Sequence, residues 1–263
     1  MRVVLWIGSQ PNQTALAHKI HTMYPLAGIV VETRIGKSEI TLDKIIERLI
    51  LSKIGDAWTY MLGQYSRQYP SYPDTKLLHV GNINSEEAYE FSKELAPDLI
   101  IVSGTRLVRN KMLSIQPSIG ILNLHTGLSP YVKGGPNCTN WCLANDEPHL
   151  IGNTIMWIDA GVDTGNIITT ETTAFTGGET LRDVHMKVME HGHSLYLKAI
   201  QTLASGIRPS VDQRTITEGK TYKNKQWGLK EKFALLKNFG SFGKDVRSAE
   251  YKQKQAELVT VKI

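Results

Sequence analysis

Short apolar runs alternate along this chain with longer stretches in which apolar residues recur every three or four positions. Val3–Ile7, Ala27–Val31, Lys76–Val80 and Leu99–Val102 read as strands, the last apolar on both faces. Between them, Asn12–Met23 turns Leu16 and Ile20 to one helical face. Ile40–Gly63 carries a stripe of Leu42, Ile45, Ile46, Leu49, Ile50, Ile54 and Trp58, broken near Gly55, which predicts two helices or one bent one covering the sheet. Asn84-Ser85-Glu86-Glu87 has capping-box spacing and starts a helix to Leu95, which Pro97-Asp98 ends. Glu179–Leu203 is a long helix, with Thr180 and Asp183 in capping-box spacing and Leu181, Val184, Val188, Leu195, Ala199 and Leu203 on its stripe. The Tyr- and Pro-rich Gln64–Asp74 is a loop.

This alternation predicts an α/β fold, a Rossmann-like open and mostly parallel sheet with helices on both faces. The turn after the first strand, Gly8-Ser9-Gln10-Pro11, lacks G-x-G-x-x-G and so gives no motif for dinucleotide binding. Gly206 and Pro209 mark a boundary that divides the chain into a main domain, 1–206, and a small basic C-terminal extension, 207–263. No repeat or low-complexity segment interrupts either part.

One stretch concentrates the polar chemistry. Ile119, Ile121, Leu122 and Leu124 form a buried strand that delivers Asn123 and His125 at its carboxyl end, two residues apart and therefore on one face. Thr126-Gly127 and Ser129-Pro130 turn the chain into a loop, Gly134-Gly135-Pro136 extends it, and Asn137 caps a helix. A second stretch follows the alternating strand Asn153–Ile158 and turns through Gly161 and Gly165, with Asp159 and Asp163 on the turn, before a further strand at Asn166–Thr173. A carboxylate there can reach an imidazole on the neighbouring strand, fix its tautomer and raise its pKa. In open α/β sheets the carboxyl ends of strands are where ligands bind.

Composition narrows the partners. With 263 residues and 41% apolar content the chain can bury one large core, or one core and an appendage. The apolar run in MRVVLWIG is far too short for a signal peptide, and no run approaches a membrane span, so a soluble cytoplasmic protein without a membrane partner is expected. From Arg208 onward there are 13 Lys and Arg against 6 Asp and Glu, which is more than the whole net charge of +5. Such a tail can meet nucleic acid, a membrane surface or an anionic substrate, and is most often a solvated face. Cys138 and Cys142, four apart on a helix without His neighbours, read as reduced bystanders. His185, His191 and His193 lack the spacing of a metal site and read as surface or rim residues, so no metal is expected.

The Asn-x-His pair, the Pro-containing loop, the Gly-rich turn and the downstream Asp-x-Gly resemble the folate-dependent formyltransferase family, most of all the sugar N-formyltransferases, over roughly Asp98–Leu203 and more loosely back to Met1. The resemblance implies that Asn123 stabilises the reacting carbonyl, that His125 and Asp163 are catalytic, and that N10-formyltetrahydrofolate is the co-substrate. It places the folate pterin against Ser103, Gly104, Thr105 and Leu107, largely through backbone groups, and against Ile158, Asp159, Gly161 and Val162. The acceptor would meet Thr126, Tyr131, Lys133, Gly134 and Gly135. Two departures fall on the acceptor side: the family's Ser-Leu-Leu-Pro is Thr126-Gly127-Leu128-Ser129-Pro130 here, and its Arg before the glycines is Lys133. Arg106 reads as a surface charge or a direct ligand.

Formyl transfer to an amine develops negative charge on the carbonyl oxygen and requires the attacking nitrogen to lose a proton. Asn123 can donate an N–H to the oxyanion, worth on the order of 3 kcal/mol where such donors have been removed. His125 can take the amine proton or polarise the carbonyl, and Asp163 can orient it and stabilise its charged form. The altered loop and the short extension point to a nucleotide-linked amino sugar, carried by UDP or dTDP, as acceptor. The aromatics between Tyr222 and Tyr251 would stack its base, or else pack on the main domain or across a homodimer interface. The alternatives are a methionyl-tRNA formyltransferase, a type in which a domain of roughly a hundred residues follows this core, and a shorter glycinamide ribonucleotide formyltransferase. A Rossmann-like module binding nucleotide or RNA without catalysis is the alternative from another class. No nucleic-acid partner is expected under the first reading.

Overall fold

The first strand, β1 (Val3–Gly8), is buried along its whole length and apolar on both faces, and it runs through the middle of a seven-stranded sheet. Its odd positions, Val3, Leu5 and Ile7, enter one core and its even positions, Val4 and Trp6, enter another on the opposite face. Full burial of each such side chain contributes about 1.5–3 kcal/mol, which is why a two-faced apolar strand settles at the sheet centre. The computed structural model describes residues 1–33, 52–159, 161 and 163–263.

After β1 the described chain continues as α1 (Pro11–Met23), β2 (Leu26–Glu32), α2 (Ser52–Gln68), β3 (Leu77–Val80), α3 (Glu86–Glu94), β4 (Leu99–Ser103), α4 (Asn110–Leu113) and β5 (Gly120–His125). Then come β6 (Val132–Gly134), α5 (Cys138–Ala144), β7 (Gly152–Trp157), β8 (Ile167–Thr172) and α6 (Leu181–Ala204). The extension supplies β9 (Lys220–Tyr222), α7 (Leu229–Phe239), α8 (Phe242–Asp245) and α9 (Ala249–Ala256). The large sheet has the order β3-β2-β1-β4-β5-β7-β8, parallel from β3 to β5, with β7 antiparallel to both of its neighbours. This is the expected α/β architecture, and the strand order reverses between β1 and β4, whose carboxyl ends open the crevice that holds the site.

Three local readings are corrected. The cap of α3 is Ser85, whose hydroxyl accepts from Ala88 N at 3.3 Å; the third helical position is then Ala88, so Glu87 cannot close a box. The helix read as breaking near Gly55 runs unbroken through it and continues to Gln68, well into the stretch read as a loop, while residues 40–51 of that stripe lie outside the described residues. His185 and His193 are not rim residues but 3% and 1% exposed. Helix α6 buries two faces, one on the sheet and one against α1 and α2, so positions off its apolar stripe are also covered. His185 sits edge-on to Trp58, and His193 Nδ1 lies 3.2 Å from Lys19 Nζ, whose ammonium pairs with Glu190 at 2.8 Å.

Burial holds the pKa of His185 down at about 4, and burial together with the Lys19 charge holds that of His193 down at about 3. The folded state therefore keeps both neutral where the unfolded chain, near 6.5, takes up protons. Stability from this source is complete above about pH 6.5 and is lost as pH falls towards those depressed values. At pH 5 the loss is expected to be on the order of 2 kcal/mol per histidine. Urea unfolding at pH 7 and pH 5 measures it, and a His185→Phe variant with the same pH slope as the parent would contradict this assignment.

The extension shares a core with the body. Leu235, Phe242, Val246 and Tyr251 pack with Val132, Cys142, Leu143, Val184 and Val188. Tyr222 stacks on Trp141 at 4.3 Å between ring centroids, Trp227 meets the same indole edge-on at 4.9 Å, and Phe239 stacks on Phe242 at 5.2 Å. These aromatics pack on one another and on the main domain, the second of the roles read from the sequence. β9 adds in parallel to β6, forming a second, two-stranded sheet on the loop that follows β5. The last residues lie along β8, where Val261 O accepts from Thr170 N at 2.8 Å.

Candidate active site

β5 ends in Leu122-Asn123-Leu124-His125, and the alternation puts Leu122 and Leu124 into the core while Asn123 and His125 share the other face. From beneath, the Tyr196 hydroxyl of α6 lies 3.1 Å from Val102 O and 3.0 Å from Leu122 O, tying the ends of β4 and β5 together. Beyond His125, Thr154 of β7 donates its hydroxyl to Gly127 O at 2.7 Å and accepts from Ser129 N at 2.8 Å, fixing the loop. Asp163 arrives from the turn between β7 and β8 in a left-handed conformation, φ 52°. Its Oδ2 lies 3.3 Å from His125 Nδ1 and accepts from Gly134 N at 3.1 Å, and its Oδ1 is 3.5 Å from Asn123 Nδ2. Asn123, His125 and Asp163 thus meet around one carboxylate.

The imidazole of His125, 7% exposed, has an acceptor at each nitrogen: Asp163 at Nδ1 and, at Nε2, the Val132 carbonyl at 3.1 Å. A neutral ring carries one N–H and satisfies one of them; only the imidazolium satisfies both. Burial by itself lowers the pKa of this group, but the Asp163 carboxylate, helped by the Cys138 sulfur and the Val132 carbonyl, outweighs it and raises the pKa to about 10. The site at neutral pH therefore holds a cation paired with a carboxylate, suited to polarising a carbonyl and to steadying a developing oxyanion.

A cavity of about 510 Å³ opens over this trio. Ser103, Gly104, Thr105, Leu107, Ile158, Asp159 and Gly161 all line it, as do Asn123, His125, Asp163, Thr126 and Gly134. Val162 lies outside the described residues. Tyr131, Lys133 and Gly135 are not on its wall: the Tyr131 hydroxyl accepts from Val259 N at 2.8 Å, Lys133 Nζ donates to Glu218 O at 3.2 Å, and Gly135 faces Asn224. Arg106 also lines the cavity, yet it is engaged by Glu32, a fully buried carboxylate at the end of β2 that accepts from Arg106 N at 2.8 Å, from its Nη1 at 3.3 Å and from Ile83 N at 2.9 Å. Among the described residues no group of three His, Cys, Asp or Glu is arranged to hold a metal ion, and no helix is long and apolar enough to cross a membrane.

Residues 72–200, which contain the whole trio, match the formyl transferase family model. The likeness to the formyl transferase family lies in this segment, a little under half of the chain. A methionyl-tRNA formyltransferase of Clostridium tetani is 36% identical over 120 residues, which cover 46% of this chain and 38% of that relative. The chain thus matches well under half of the length of that protein. Among solved structures, the N-formyltransferase from Helicobacter canadensis, in complex with folinic acid and dTDP-3-aminofucose, has a TM-score of 0.56 at 18% identity, covering 91% of this chain and 81% of its own. The phosphoribosylglycinamide formyltransferase from Anaplasma phagocytophilum has a TM-score of 0.54 at 16% identity, covering 78% and 88%. At these identities the two structures share the formyltransferase fold with this chain.

The departure at Gly127 has a steric cause. A Cβ at that position would overlap His125 Nε2 and stand 2.9 Å from Cys138 Sγ. The sulfur itself is 3.5 Å from Nε2, so Cys138 is no bystander but part of the wall that holds the ring. Sequence reasoning also missed Gln10, Asn12, Gln13 and Trp58, which line the far side of the cavity, and Glu32, which holds the loop after β4. The signal of Gln10, Asn12, Gln13 and Glu32 is polarity at a strand end or a helix start, Asn12 and Gln13 standing among buried residues of α1 where apolar ones would be expected, whereas Trp58 reads only as part of the apolar stripe.

Proposed function

We propose that this chain moves a formyl group from N10-formyltetrahydrofolate to the amine of a nucleotide-linked amino sugar, UDP- or dTDP-borne, in the cytoplasm. The observation that carries the reading is the convergence of Asn123, His125 and Asp163 on one wall of the cavity, with the imidazole held between two acceptors. The walls suit the donor: residues 103–108 line one side and 157–159, 161 and 163–165 another, and the volume is of the size small-ligand sites require. Bound there, the folate supplies the formyl carbonyl. Asn123 presents an amide N–H to the carbonyl oxygen and the His125 cation steadies the charge that develops on it. Since the ring is already protonated, the proton leaving the amine passes to the Asp163 carboxylate, directly or through water, and is returned to N10 as the tetrahedral intermediate collapses, the C–N10 bond breaks and tetrahydrofolate leaves. The 1–206 segment is the proposed catalytic domain, and 207–263 the extension that braces it.

For the acceptor, support comes from extent. The fold likeness to the amino-sugar-bound N-formyltransferase runs through 91% of this chain, against 78% for the phosphoribosylglycinamide enzyme. The sequence likeness to methionyl-tRNA formyltransferases favours a second reading, a tRNA acceptor, over the 120 residues it spans. Purified protein with N10-formyltetrahydrofolate, offered UDP- and dTDP-linked amino sugars, glycinamide ribonucleotide and methionyl-tRNA in parallel, decides between them. Formylation of the sugars is expected. Formylation of methionyl-tRNA alone would replace the acceptor and leave the trio in place.

A further inference from the structure

Gln213 lies in the extension, 50 residues from Asp163, in a short 3-10 turn, Gln213–Thr215, and is 3% exposed. Its side-chain amide donates to Asp163 O at 3.0 Å and to Gly165 O at 2.8 Å. Its own amide oxygen is buried and has no hydrogen-bond partner among the described residues. An apolar side chain of the same shape would fill the space without burying that oxygen, but it could not donate to two carbonyls. Asp163 needs such support, because a non-glycine residue at φ 52° is in a sparsely populated conformation that persists only when its surroundings impose it.

The extension grips the site at a second point. Gly134, which donates its N–H to the Asp163 carboxylate, pairs with Tyr222 in the β6–β9 sheet. Its φ of +86° and the close approach of the Tyr222 carbonyl admit only glycine. One carboxylate is thus positioned from two sides by residues 213–222: through the backbone of its own turn and through the strand that donates to it.

We propose that Gln213 is a positioning residue for formyl transfer, acting through Asp163 to keep the His125 ring cationic, so that the extension is part of the catalytic apparatus rather than an acceptor-binding appendage. The inference rests on reading Asn123, His125 and Asp163 as the catalytic trio. With the Asp163 turn released, the carboxylate no longer stays beside Nδ1, and the ring loses the partner that offsets its burial.

The test compares Gln213→Ala and Gln213→Met with the parent, reading kcat, the KM for the formyl donor, the melting temperature and the His125 titration by NMR. Both variants are expected to lose about 10- to 100-fold in kcat with the donor KM within about twofold. The His125 midpoint should fall from about 10. Gln213→Met retains the volume without a donor and serves where the alanine variant does not fold. An unchanged kcat, or a lowered melting temperature with the His125 midpoint unmoved, overturns the proposal. Asp163→Asn separates the two levels: if it abolishes turnover while Gln213→Ala does not, only the brace fails, and if neither matters the trio itself is wrong.

Discussion

Asp163→Asn is expected to lower turnover by about 10³- to 10⁴-fold, the size of loss that follows when a buried carboxylate is taken from a catalytic histidine elsewhere. The amide is the same size, and its oxygen can still accept from Gly134 N, so the turn and the fold should survive. What disappears is the charge. Burial then acts on His125 against only the Cys138 sulfur and the Val132 carbonyl and drives the ring towards its neutral form, since the carboxylate is the largest of the groups that outweigh burial in the parent. The pH profile carries the diagnosis. In the parent, activity that depends on the imidazolium persists up to an alkaline limb near pH 10; in the variant that limb should move below neutrality, so that residual activity rises as the solution is acidified.

Stability follows the same linkage. A histidine whose folded pKa lies above its unfolded value near 6.5 contributes stability that is complete below that value and is lost as pH rises through about 10. The parent should lose more stability than Asp163→Asn between pH 7 and pH 10. Retention of more than a tenth of parental turnover by the variant, with its alkaline limb unmoved, would remove both Asp163 and the cation from the account.

The parts of this site written in local patterns were legible. A strand alternates its side chains, so Asn123 and His125 had to share a face; Gly161 and Gly165 announced a turn, and Asp163 on it was within reach of the imidazole. The alternation of strands and helices likewise announced a mostly parallel sheet, though not the order of its strands. What was hidden depends on distant segments. Gln213 sits in a stretch without periodicity, and its meaning is its distance from Asp163. His185 and His193 lie off the apolar stripe of α6, and only the second layer of helices buries them. Tyr131 and Lys133 sit beside the glycines in sequence, yet β9 and the last residues draw them towards the extension. The aromatics of the extension looked like a binding surface because a stretch of chain does not reveal that Trp141 is waiting opposite.

Gly127→Ala, a single methyl group, is expected to cost about 10²-fold in kcat, comparable to a displacement of about 1 Å at the reacting groups. Backbone conformation is no obstacle, because Gly127 is not among the residues at positive φ. The obstacle is space: the methyl carbon would overlap His125 Nε2 and press on Cys138 at 2.9 Å. The loop cannot retreat, since Thr154 holds Gly127 O at 2.7 Å and Ser129 N at 2.8 Å and is itself buried on β7. Helix α5 cannot retreat either, as Asn137 caps it and Trp141 is clamped between Gly135 O and the rings of the extension. The ring must therefore turn, which breaks its contact with Val132 O, with Asp163, or with both. Because the loops lining the donor side of the cavity are untouched, affinity for a formyl-folate analogue should stay within about threefold while kcat falls. Adding Cys138→Ala removes the sulfur and gives the ring somewhere to go, so the double variant should recover part of the loss; a Gly127→Ala enzyme with parental kcat would show that His125 does not work from the position it occupies here.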